Sequence, residues 1–118
     1  MKYLCLIYQD QNKIDAIPRD EFEAIMSDVL DYRDELRQSG HYITSSPLQP
    51  AENAMTVRVR GDRATITDGP FAETREQIGG FYLIEARDLN EAIRLASGMP
   101  PARIATIEVR ALNEVFPD

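Results

Sequence analysis

DGPFAETREQIGGFYLIEA, residues 68–86, decides how the rest of the chain is read. Asp68-Gly69-Pro70 is turn chemistry. Asp bonds its own downstream backbone, Gly accepts positive φ, and Pro restricts the residue before it. Phe71 offers a ring to anchor that turn. Thr74 and Gln77 stand at capping-box spacing, which predicts a single helical turn closed by Gly79-Gly80. FYLIEA, 81–86, is rich in aromatic and branched residues and reads as a strand. Loops that carry several charged residues on a rigid scaffold are frequent sites of function.

Working outward, AMTVRVR and RATITD flank Gly61-Asp62 and predict a hairpin that runs directly into Asp68. In that register Val57 faces Ile66 and Val59 faces Ala64 on one side, while Arg58 faces Thr65 and Thr56 faces Thr67 on the other. The hairpin is therefore apolar on one face only. Upstream, KYLCLIY (2–8) is a strand with apolar residues on both faces, so both should be covered. QDQNKIDA is read as a polar connection. Pro18, Asp20 and Glu21 open a helix in which Phe22, Ile25, Met26, Val29, Leu30, Arg33 and Leu36 follow helical spacing, with Gly40 as its stop. HYITSSPL reads as a short strand and LQPAEN as loop. Downstream, Asp88 and Glu91 form a second capping-box pattern before a helix that Gly98 ends. RIATIEVRAL is the last strand, with Thr106, Glu108 and Arg110 on its polar face.

The order strand, helix, strands, helix, strand fits an α+β, ferredoxin-like sandwich formed by one domain over residues 1–118. Two helices cover one face of such a sheet. The other face is also rich in apolar groups, more than a soluble monomer usually exposes, so a second subunit is expected to cover it.

Composition narrows the function classes. The chain has 118 residues and a net charge of −7 without a basic stripe, which argues against direct nucleic-acid binding and against anionic membrane surfaces. No segment is apolar and long enough to span a bilayer, and the N-terminus lacks a signal-peptide pattern. A single cysteine, Cys5, sits in an apolar strand and reads as a small buried hydrophobe, which suits a reducing compartment. A cytoplasmic protein is expected. One histidine and one cysteine, with no ligand pair at characteristic spacing, suggest no metal. No phosphate-cradling or nucleophile-elbow motif is present, and no cofactor is expected.

The stretch also carries a family likeness. Asp68, Gly69, Pro70, Phe71, Ala72, Glu73, Thr74, Glu76, Gln77, Gly79 and Gly80 resemble the signature of the YCII-related proteins, in particular the subgroup named for its DGPF motif. Arg75 stands where that pattern has Lys. MKYLCLIY and IEVRAL resemble the family's first and last strands. The resemblance implies a homodimer whose sheets pack together as a dimeric α+β barrel, with two symmetry-related clefts between them. It further implies an alternative role as a regulatory protein associated with an extracytoplasmic-function sigma factor. Fold analogy with monooxygenases of the same barrel suggests oxygen chemistry as a third reading.

The candidate site residues follow from these features. His41 begins a strand and Asp68 ends another; if those ends meet, the carboxylate can orient the imidazole for acid–base work. The His of YCII-related proteins is expected within the first helix, and this helix has none. Glu73, Arg75 and Glu76, with Tyr82, Glu108 and Arg110, are the candidates for a polar pocket that binds a small metabolite. The plainer alternative pairs Arg75 or Arg110 with these carboxylates to hold the loop, and has Asp68 cap its own turn.

Overall fold

KYLCLIYQ forms the central strand β1 (Lys2–Gln9) in the computed structural model, which describes residues 1–115. Its alternation sends Tyr3, Cys5 and Ile7 into the core and leaves Leu4, Leu6 and Tyr8 half-buried on the other face. The connection after it contains a short helix, α1 (Gln11–Asp15), where the sequence reading had only a polar link. Asp10 starts it: the carboxylate accepts the Asn12 N–H at 3.0 Å. Helix α2 (Arg19–Gln38) follows Pro18 and packs Ile25 and Leu36 inward. It ends in a Schellman motif. Gly40 takes φ +80, its N–H reaches the Arg37 carbonyl, and the His41 N–H reaches the Leu36 carbonyl.

Strand β2 (Tyr42–Pro47) leads through a 3₁₀ turn (Ala51–Asn53) to the hairpin β3 (Met55–Arg60) and β4 (Arg63–Asp68). The hairpin has the register its sequence predicts, with Val57 opposite Ile66 and Val59 opposite Ala64. Strand β5 (Gln77–Glu85) begins four residues before FYLIEA and takes Gly79-Gly80 into the strand; the two glycines stop no helix. After α3 (Leu89–Ser97) and a second 3₁₀ turn (Pro100–Arg103), β6 (Thr106–Ala111) closes the sheet.

The main sheet has the order β2-β5-β1-β6, with every neighbour antiparallel. Each helical connection therefore skips over one strand, and the arrangement is the ferredoxin-like α+β fold. One face carries the core. Tyr3, Cys5, Ile7, Tyr82 and Ile84 from the sheet meet Leu36 of α2 and Ala92, Leu95 and Ala96 of α3, with Met99 beyond it. Burial pushes the Cys5 thiol up to about 11, so it behaves as a small apolar side chain, not as a nucleophile.

Among the described residues, the second face carries no helix. Across it run Thr44 and Ser46 of β2, Phe81 and Leu83 of β5, Leu4, Leu6 and Tyr8 of β1, and Thr106, Glu108 and Arg110 of β6. Beside Tyr8, β5 contains one extra residue: Ile7 pairs with Gly80 and Tyr8 with Ile78, leaving Gly79 as a bulge. The hairpin forms a separate two-stranded sheet.

Candidate functional site

Tyr8 is the residue on which the open face converges. It is the last large side chain on that face of β1, and its hydroxyl donates to the Glu108 carboxylate at 2.9 Å. That hydrogen bond raises the phenol above its usual range, with partial desolvation and the Glu108 charge acting the same way and Arg110 opposing them. The phenol therefore keeps its proton at neutral pH. Glu108 and Arg110 project from the same face of β6, opposite Leu6 and Leu4 respectively. The Arg110 side chain has no hydrogen bond or ion pair among the described residues, so its guanidinium is available to an anionic or carbonyl oxygen.

Tyr8 also forms one wall of an open groove of about 640 Å³. Leu48, Pro50 and Ala54 line it together with Pro70, Phe71 and Glu76 of the signature loop. The loop is not the helical turn that the spacing of Thr74 and Gln77 predicts. Instead the Gln77 side-chain amide donates to the carbonyls of Ala72 (2.6 Å) and Thr74 (3.0 Å), and the Thr74 hydroxyl donates to the Glu76 carbonyl at 2.7 Å. Gln77 already belongs to β5, so its side chain reaches back and staples an irregular loop. Gly69, at φ +95, turns the chain out of the hairpin; its N–H donates to the Ala54 carbonyl, and the Thr56 hydroxyl donates to its carbonyl. Among the described residues the Asp68 carboxylate forms no hydrogen bond, and the turn is held by the backbone and Thr56. Phe71 anchors nothing: it is 77% exposed, with the Arg58 guanidinium 5.7 Å from its ring centre.

His41 and Asp68 do not meet. His41 lies at the Glu85 end of β5, where Nδ1–H donates to the Glu85 carbonyl at 2.8 Å. The signature loop lies at the Gln77 end, and nine strand residues separate the two by roughly 25 Å. Glu73, Arg75 and Glu76 are exposed, and their side chains form no ion pair with one another or with Arg110. Tyr82 is on the wrong face for a site with Glu108 and Arg110. It is 3% exposed in the core, its phenol pushed up to about 12 by burial, beside a cavity of about 320 Å³ under α2. The aromatic partner of Glu108 is Tyr8, at the end of an alternating strand that pairs with β6.

The chain matches the model of the YCII-related domain over residues 1–115. It belongs to the YCII-related family. Uncharacterized protein R00369 of Rhizobium meliloti (strain 1021) is 35% identical over 114 residues, spanning 95% of this chain and 92% of that protein. Among solved structures, the 5-chloro-2-hydroxyhydroquinone dehydrochlorinase TftG of Burkholderia phenoliruptrix AC1100, in complex with 2,5-dihydroxybenzoquinone, aligns with a TM-score of 0.50. It covers 96% of this chain and 94% of its own at 16% identity, a likeness of fold. Among the described residues of this YCII-related chain, no helix is long and apolar enough to cross a membrane.

His41 belongs to a charged cluster at the start of α3. Glu91, 8% exposed, accepts the Arg87 N–H at 2.9 Å, pairs with the Arg87 guanidinium at 2.9 Å, and lies 3.6 Å from Arg94 and 3.9 Å from His41 Nδ1. The Asp88 carboxylate accepts the Glu91 N–H in return, so the predicted capping pair forms with its reciprocal bond one residue earlier, at Arg87. The Arg87 N–H holds the Glu91 carboxyl below the usual carboxylate range, helped by the charges of Arg87, His41 and Arg94 against the effect of burial. A carboxyl lowered in the folded state stabilises the fold above its unfolded value, near 4.3, and loses that contribution as pH falls through the folded value. Glu91→Gln should therefore lower the urea midpoint clearly at pH 7. The gap to the parent protein should narrow below about pH 4. A gap independent of pH would show that the charge of Glu91 contributes nothing.

Proposed function

We propose that the protein binds a small polar metabolite on the open face of its sheet, within a cleft that the same face of a second copy closes. One observation carries this reading. A protonated phenol bonded to a carboxylate, with an unengaged arginine beside it, sits on an apolar floor that no helix covers. Leu4, Leu6, Phe81 and Leu83 suit a flat or short apolar body. Glu108 accepts from a donor group, and Arg110 takes a carboxylate or phenolate oxygen. Oxygenated rings are the first class to test, because the fold neighbour was solved with 2,5-dihydroxybenzoquinone.

Calorimetric titration with small hydroxylated aromatic acids and quinones tests it. Arg110→Ala should weaken the best binder at least about tenfold, equivalent to about 1.4 kcal/mol, and Tyr8→Phe less, since it removes one hydroxyl. Both variants should melt like the parent, because neither side chain is in the core. Binding unchanged by Arg110→Ala and by Glu108→Gln would refute this location for the ligand.

A further inference from the structure

We infer that the β3–β4 hairpin is an arm whose apolar face is buried on a second copy of this chain. Met55, Val57, Val59 and Ile66 share that face and are 58%, 62%, 57% and 64% exposed in the single chain. Of residues 55–68, all but the half-buried Thr56 are exposed. The bonds at its root, Gly69 N–H to the Ala54 carbonyl and Thr56 hydroxyl to the Gly69 carbonyl, join its own two legs, and its strands form a sheet separate from the main one. An isolated two-stranded hairpin is marginal in water, and one with a continuous apolar stripe on its surface needs a cover to hold its shape.

The area available indicates what the cover is. The chain exposes 8457 Å², whereas a compact monomer of its mass exposes about 6,500 Å². Its radius of gyration is 16.2 Å against about 13.5 Å for a compact chain of this length. The excess, about 2,000 Å², is more than twice the roughly 800 Å² that each partner buries in a standard stable interface. An arm that depends on its cover to stay folded needs a cover present whenever the arm is, and a second copy is made with it. Charge agrees. The hairpin carries Arg58, Arg60 and Arg63 against Asp62 and Asp68, net +1, on a chain of net −7, so the surface of another copy attracts it.

This inference rests on the paired sheets proposed above, and the test separates the two. Sedimentation and amide hydrogen exchange are measured on the parent protein, on Val57→Lys/Ile66→Lys, and on Val57→Thr/Ile66→Thr, which keeps β-branching and so keeps the hairpin's strand preference. The parent should be dimeric with slowly exchanging arm amides. The lysine pair should raise the dimer dissociation constant at least about 100-fold, and the threonine pair about tenfold. Both should expose residues 55–68 to fast exchange. A dimer unaffected by either pair, with fast exchange in the arm, overturns the arm and leaves the paired sheets standing. A parent protein that stays monomeric at high concentration overturns both.

Discussion

Ile84→Ala is expected to destabilise the protein by about 3 kcal/mol, within the range of about 2–5 for truncating a fully buried isoleucine. Ile84 has no exposed surface. It lies on β5 opposite Tyr3 of β1 and Tyr42 of β2, in the cluster that joins the sheet to Leu36 of α2 and to α3. Among the described residues the helices cover only this face of the sheet, and the buried side chains form one cluster there. The cost has two parts: the transfer of the removed methylenes, and a void that the surrounding rings of Tyr3 and Tyr82 cannot collapse into without leaving their rotamers. Ile93→Ala is the matched control. Ile93 is 47% exposed on α3, and alanine favours the helix, so its change should stay within about 0.5 kcal/mol. Urea unfolding at one fixed protein concentration reads both. Equal effects would mean that the helix-covered face is not where stability resides.

The contrast between these two isoleucines bears on what the sequence makes legible. Period-2 alternation in KYLCLIYQ and the hairpin pairs around Gly61 are local patterns, and local patterns set strand faces and register directly. Helix α2 was readable for the same reason, down to its glycine stop. Tyr82 was not. FYLIE is apolar at every position but its last, so no alternation says whether Phe81 or Tyr82 faces the helices; the pairing with Cys5 decides it. The same pairing could have pointed to Tyr8, because a strand whose open face reads Leu4, Leu6, Tyr8 must meet the polar set Thr106, Glu108, Arg110 once β1 and β6 lie side by side. The separation of His41 from Asp68 depends on which end of β5 each one joins, and that is set by the crossing order of the sheet, not by distance along the chain. Helix α1 escaped notice because a five-residue helix carries too little periodicity to register and depends mainly on the Asp10 cap.

Gly80→Val is expected to cost about 3 kcal/mol, at the upper end of what overpacking usually imposes. A Cβ at position 80 would lie 3.1 Å from the Ser46 carbonyl oxygen and 3.4 Å from the Pro47 Cα, with the Ile7 side chain 3.6 Å away. Two of those neighbours are backbone of β2, which is hydrogen-bonded to β5 and cannot retreat without opening the ladder. A branched side chain adds two further methyls to that contact. Gly79→Ala makes the informative comparison. The atoms nearest its new methyl all belong to the flexible Gln9 side chain, which has to swing away, so the cost should remain under about 1 kcal/mol. The two adjacent glycines thus do different things. Gly79 supplies the bulge beside Tyr8, and its carbonyl accepts the Leu48 N–H at 2.9 Å, fixing one side of the groove. Gly80 lets the Ser46-Pro47 backbone of β2 approach β5 closely, beside the cavity under α2. Gly80→Ala should fall between the two, since a single methyl at 3.1 Å asks the β2 backbone to give by a few tenths of an ångström. If Gly80→Val proved no worse than Gly79→Ala, the close strand approach would be slack, and the glycine pair would have to be explained by the loop that precedes it.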